Sequence, residues 1–230
     1  MSNPPSPCPA PHAHRAQLAD PAGVGPWLLH VDEHLIVVDK PAGLLAVPGK
    51  GEAGRNNLAT RVQALHADAR VVHRLDQATS GLMVFARGLA AQRALGRAFE
   101  QRQVGKVYEA VVEGLPQPSQ GEIDAPLAAD WPQRPKQKVD AEAGRPALTR
   151  WQRLDGPAPP GCTRLRLQPV TGRTHQLRVH LAHVGHPICG DTLYAPAPQR
   201  GSRLLLHSCE LSFRHPADER PLIWRSPAPF

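Results

Sequence analysis

Residues 73–81 read His73-Arg74-Leu75-Asp76-Gln77-Ala78-Thr79-Ser80-Gly81. Apolar runs at 70–75 and 81–86 flank this stretch, and each has the length and branched-residue content of a strand. The chain therefore leaves one strand, crosses a polar turn and enters another. An Asp at a strand end is ordinarily a turn former. Here Arg74 precedes it, and a later basic segment supplies Arg173 and Arg178. A carboxylate in an Arg-lined cleft can serve as nucleophile or base.

Outward from this turn the same short-strand spacing recurs. Strands are predicted at 27–31, 35–39, 104–113, 148–154, 163–170, 204–211 and 221–225, with Lys40-Pro41-Ala42-Gly43 ending the second. Helices are predicted at 56–66, capped by Asn56 or Asn57, at 89–101, burying Leu95 and Phe99, and at 175–184. Along 163–170, Leu165 and Leu167 share one face, with Arg164 and Arg166 on the other. The segment 115–145 is rich in Pro, Gly and charge and reads as loops with short strands. Strands outnumber helices and hairpin spacings dominate, which predicts an α+β fold: a mixed, mainly antiparallel sheet with flanking helices. Residues 1–25 hold six prolines without apolar periodicity and are expected to form a disordered arm ahead of one folded domain over 26–230.

The chain has 230 residues, 41% of them hydrophobic and 20% charged. No apolar run approaches the roughly 18–20 residues that span a bilayer, and the Pro-rich start lacks the apolar core of a secretion signal. A soluble, cytoplasmic protein without membrane attachment is expected. Cys8, Cys162, Cys189 and Cys209 form no C-x-x-C pair, which speaks against a disulfide framework and a cysteine-built zinc site. The charge is uneven: between residues 131 and 178, ten basic side chains stand against three acidic ones, which accounts for the entire net charge of +7. Such an Arg-rich patch suits a phosphate backbone.

Two other patterns carry less. Gly49-Lys50-Gly51-Glu52-Ala53-Gly54 matches G-x-G-x-x-G, but Pro48 precedes it and Arg55-Asn56-Asn57 separates it from the helix, so a surface loop is the better reading. His175, His180, His183 and His186 cluster without a carboxylate motif, which favours structural or RNA-facing histidines over a metal site.

With these residues in view, the sequence resembles the RluA-type pseudouridine synthases. His73-Arg74-Leu75-Asp76 with Thr79-Ser80-Gly81 is similar to the family's catalytic motif. Val38-Asp39-Lys40-Pro41-Ala42-Gly43-Leu44-Leu45 is similar to its first motif, and Lys106-Val107-Tyr108 to its tyrosine motif. The run from Thr171 to His180, followed by Gly185-His186-Pro187-Ile188 and Gly190-Asp191, is similar to its last. Asp130-Trp131-Pro132 and Arg134-Pro135-Lys136-Gln137-Lys138 further resemble a short member that acts on both ribosomal and transfer RNA.

The resemblance implies an RNA pseudouridine synthase that isomerises uridines in structured loops of 23S ribosomal RNA, of the transfer RNA anticodon stem-loop, or of both. It implies Asp76 as the catalytic carboxylate, Arg178 as its partner, and Tyr108 stacked on the base. Arg74 would fill the space left by a flipped nucleotide or hold its backbone. Arg134, Lys136, Lys138, Arg173 and His175 would contact RNA. No cofactor or metal is implied, a monomer is the default, and no S4-like RNA-binding domain is expected ahead of Trp27. The alternative is a non-catalytic RNA-binding or chaperone protein on the same fold, against which Asp76, Tyr108 and Arg178 speak.

Overall fold

A computed structural model of the chain describes residues 27–195 and 203–230. The expected arm at 1–25 lies outside the described residues. In chain order come β1 (Leu28–Val31), β2 (Leu35–Lys40), α1 (Leu58–Leu65), β3 (Ala69–Val71), β4 (Ser80–Arg87), α2 (Gly88–Glu100) and β5 (Gly105–Glu113). There follow β6 (Gln120–Asp124), β7 (Leu127–Ala129), β8 (Gln137–Val139), β9 (Leu148–Leu154), β10 (Cys162–Pro169), α3 (Gln176–His183), β11 (Leu206–Arg214) and β12 (Pro221–Arg225). The main sheet runs β1-β2-β4-β11-β5-β10-β9-β6, with β3 on β4 and β12 on β11, while β7 and β8 form a separate hairpin. Every pairing in it is antiparallel except β4 with β11. This is the predicted α+β architecture. No helix among the described residues is long and apolar enough to cross a membrane.

Sequence explains how the two halves are covered. β2 and β4 are apolar without alternation, because both of their faces are buried. On one face Ile36, Val38, Met83 and Phe85 pack against Leu58 and Val62 of α1. On the other, Leu35, Val37, Leu82 and Val84 pack against Ala91 and Leu95 of α2. Asn57 caps α1, its side-chain oxygen accepting the Thr60 N–H at 2.9 Å. In the second half, β5 and β10 bury Ala110, Leu165 and Leu167 against Leu177 and Leu181 of α3. Cys189 and Cys209 are buried and Cys162 is partly so.

The halves meet where β4 and β11 pair in parallel through only Ser80 with His207 and Gly81 with Ser208. Gly81 has a φ of +112°, and a Cβ there would lie 2.4 Å from the Ser208 carbonyl oxygen and 2.5 Å from its nitrogen. Only glycine permits both the backbone and the approach.

Two expectations are corrected. The strand predicted at 70–75 stops at Val71, because the Val84 N–H donates to the His73 ring at 3.0 Å instead of to a strand carbonyl. His73 is stacked on Phe99 with ring centroids 4.5 Å apart, and burial pushes its pKa down to about 3. The chain from Val72 to Asp76 is thereby freed from the ladder to line a cleft. The final long strand begins at Leu206 and continues to Arg214, three residues beyond the expected end. Arg164 stands on the face opposite Leu165 and Leu167, as expected, and is buried there, paired with Glu109 at 3.0 Å. The loop at 49–54 is closed by its own backbone, with the Gly49 N–H donating to the Gly54 carbonyl at 3.1 Å.

Gly81→Ala should lower unfolding stability by about 2–3 kcal/mol in urea titration, because the added methyl must part β4 from β11.

Candidate active site

Four segments converge on one cleft of about 490 Å³, a size usual for small-molecule sites. The polar turn brings Arg74 and Asp76, β5 brings Lys106 and Tyr108, the turn after α2 brings Arg102, and α3 with its approach brings Arg173, His175 and Arg178. Six of the nine residues singled out from sequence therefore line a common wall: Asp76, Tyr108, Arg178, Arg74, Arg173 and His175. Arg134, Lys136 and Lys138 do not. They lie on the β7–β8 hairpin, where Arg134 sits 3.6 Å over the Trp131 ring and Lys138 pairs with Asp140 at 3.1 Å.

The approach to α3 is shaped by Gln176, whose four side-chain hydrogen bonds are all made. Its carbonyl oxygen accepts the Thr171 hydroxyl at 2.7 Å and the Arg173 N–H at 3.0 Å. Its amide donates to the Leu148 carbonyl and the Thr149 hydroxyl, each at 3.0 Å. A buried amide so satisfied fixes the backbone around it. His180, one helical turn on, is occupied by the Thr149 hydroxyl at 3.0 Å and the Ala125 carbonyl at 2.9 Å. Its role in the fold is structural.

Arg178 is buried and gives two of its nitrogens to Asp191, Nε to Oδ2 and Nη2 to Oδ1, both at 2.8 Å. Asp191 is itself locked, Oδ1 also accepting the Leu193 N–H at 2.9 Å and the Tyr194 N–H at 3.2 Å. Burial works against the charge of Arg178, but the hydrogen bonds and charge of Asp191 outweigh it and its pKa is raised. The remaining nitrogen, Nη1, stands 3.7 Å from Asp76 Oδ2. The expected pairing of Arg178 with Asp76 thus exists as a longer contact, and the tight partner is Asp191.

His175 occupies a left-handed conformation (φ 54°) just before α3 and turns its ring inward. Its Nδ1 lies 2.7 Å from the Tyr194 hydroxyl and its Nε2 3.9 Å from Asp76 Oδ1. Tyr194 also accepts the Gln137 N–H at 2.8 Å, so its hydroxyl is held between Gln137 and the His175 ring, whose other nitrogen faces Asp76. The side chain is 11% exposed and faces the carboxylate rather than solvent.

Tyr108 stands opposite Ser208 on β11 and Leu167 on β10. Burial pushes its phenol well above the ordinary range, with Ser208 acting against it. Lys40, fully buried at the end of β2, donates to the carbonyls of Pro41, Leu44 and Gln77 at 2.9, 2.8 and 3.1 Å. Burial draws its pKa down to about 8 while the charge of Asp76 opposes this. The first motif is in this way tied to the residue next to Asp76.

Asp191, Tyr194 and Lys40 received no role in the sequence reading. Gly190-Asp191 was visible as a motif, but nothing local places its carboxylate on a guanidinium 13 residues earlier. Asp191→Asn should cost about 3–5 kcal/mol of stability in denaturant unfolding, because the buried guanidinium loses its charge partner.

The family model described as RNA pseudouridylate synthase matches residues 34–183. The dual-specificity RNA pseudouridine synthase RluA of Escherichia coli K12 is 47% identical over 209 residues, covering 89% of this chain and 95% of the relative. Among solved structures, human RNA pseudouridylate synthase domain containing 1 superposes with a TM-score of 0.75 at 28% identity, covering 88% of this chain and 83% of that one. Human RNA pseudouridylate synthase domain containing 4 gives 0.70 at 30% identity, covering 88% of each. With its sheet, its cleft and these relatives in agreement, the chain belongs to the RluA-type family of RNA pseudouridine synthases.

Proposed function

We propose that Asp76 is the carboxylate that opens the glycosidic bond, that Arg178 aims it, and that Tyr108 stacks on the uracil. The observation that carries this reading is the position of Asp76, set between the spare nitrogen of a locked guanidinium and an inward-turned imidazole, at the wall of a base-sized cleft. The reaction detaches uracil nitrogen 1 from the sugar, turns the ring, and joins carbon 5 to the same sugar carbon. The carbon 5 proton leaves to solvent and nitrogen 1 takes one up, so no electrons or groups are exchanged with a donor. A carboxylate can begin this by removing a sugar proton or by attacking the anomeric carbon, and both routes need it held in fixed register with the sugar.

The burial of Tyr108 keeps its phenol protonated, which suits stacking on the base. His175, expected from sequence to contact RNA, acts here through Asp76 as a positioning residue. A uridine in a folded loop must leave its stack to enter the cleft. Arg74 is exposed beside Asp76, makes no ion pair with a described residue, and is the side chain to occupy the vacated space.

The substrates are loops of ribosomal and transfer RNA, a reading supported by the hairpin segment from Asp130 to Lys138 and by the dual specificity named for the relative. The exposed Trp131 with Arg134, Lys136 and Lys138 offers stacking and phosphate contacts beside the cleft. On this reading the enzyme works as a monomer in the cytoplasm, and the groups invoked all lie in one chain.

Asp76→Asn should abolish tritium release from RNA labelled at carbon 5 of uridine while RNA affinity stays within a few fold; retained release would remove Asp76 from the chemistry. Lys136→Gln with Lys138→Gln should weaken RNA binding and flatten its dependence on salt, and an unchanged slope would remove the hairpin from the interface.

A further inference from the structure

The cleft wall also gathers three cations, Arg102, Lys106 and Arg173, that pair with no acidic side chain among the described residues. Lys106 lies two residues before Tyr108 on β5, on the same face of the strand and about 7 Å along it. Among the described residues its ammonium donates to the Thr171 carbonyl alone, at 3.3 Å. Arg173 is anchored by one bond, Nε to the Pro146 carbonyl at 3.1 Å. Arg102 follows the end of α2 and its side chain makes no hydrogen bond or ion pair with a described residue. Glu100, the acidic residue on that wall, pairs with none of the three.

The groups also repel one another. After burial, the charge of Arg102 is what holds the pKa of Lys106 down, and Arg145 and Arg102 do the same to Arg173. Arg102 has a φ of +59° at a helix end, a position that glycine fills at least cost. A cation near a helix C-terminus favours the macrodipole, but that accounts for neither Lys106 nor Arg173. Uncompensated like charges, one of them on an unfavourable backbone, are expected where an anion completes the site.

Building on the reading of Tyr108 as the base-stacking residue, we propose that Arg102, Lys106 and Arg173 form a phosphate subsite that grips the RNA backbone next to the flipped uridine. The distance from Lys106 to Tyr108 is on the scale of the step from a base to its own backbone phosphate. The hairpin cations then bind the flanking RNA, while this subsite seats the reacting nucleotide.

The deciding variant is Arg102→Gly, which removes the guanidinium and suits the backbone; Lys106→Met is its companion. Binding of total transfer RNA is measured by titration over a series of KCl concentrations, alongside thermal melting. For Arg102→Gly a melting temperature equal to or above that of the parent is expected, with affinity weakened roughly tenfold at low salt. The plot of log affinity against log salt should become shallower by about 0.7 for the lost single-strand phosphate contact, and Lys106→Met should shift it the same way. A salt slope unchanged in Arg102→Gly, or a lowered melting temperature with no loss of affinity, overturns the subsite. Binding is read without turnover, so this result stands apart from the outcome for Asp76→Asn.

Discussion

The buried pair of Arg178 and Asp191 constrains every other group in the site. A guanidinium is a rigid planar fork, and two bonds of 2.8 Å to one carboxylate fix its plane and leave its third nitrogen a single direction. That direction is Asp76. The arrangement is sound only because Asp191 is fully satisfied by two further backbone donors, since a buried ion pair with loose ends costs more in desolvation than it returns. Those donors belong to Leu193 and Tyr194, and the hydroxyl of Tyr194 orients His175 in turn. One short segment after α3 therefore sets both groups that face Asp76.

The other side of the cleft is set by the sheet. Asp76 is carried on a stretch that has left the β3 ladder, and such a stretch is fixed only by its ends. At one end the His73 ring takes a β4 N–H and stacks on Phe99. Beyond Asp76, Lys40 and Gly43 bind the Gln77 carbonyl, and Gly81 then enters the single parallel contact between the two half-sheets. Tyr108 rises from β5 on the far side of that contact. The closeness of β4 to β11, permitted by Gly81, thus positions Asp76 relative to Tyr108.

Much of this was legible in the sequence. The strand and helix positions followed from continuous apolar runs in β2 and β4 and from apolar periodicity in β10 and α2, all governed by local burial. The cluster of Asp76, Tyr108 and Arg178 followed from resemblance, and its convergence needed the fold. What stayed hidden was pairing across long separations. Arg164 reads as one more basic residue of an RNA-facing stretch until β5 brings Glu109 within reach of it. The strand at 70–75 reads as continuous because periodicity cannot register that a histidine ring will take the next ladder proton. Arg102 and Lys106 lie outside the basic stretch that drew attention, and only the fold places them beside Arg173.

On the function proposed above, Arg178 acts by geometry, as a fork held by Asp191 and aimed at Asp76. Arg178→Lys keeps the charge and removes the fork, so the most direct measurement is single-turnover tritium release by this variant at saturating enzyme, with RNA affinity measured in parallel. The rate should fall roughly 100-fold or more with affinity nearly unchanged, because a lysine cannot hold Asp191 bidentately and reach Asp76 together. A rate within a few fold of the parent enzyme would contradict it.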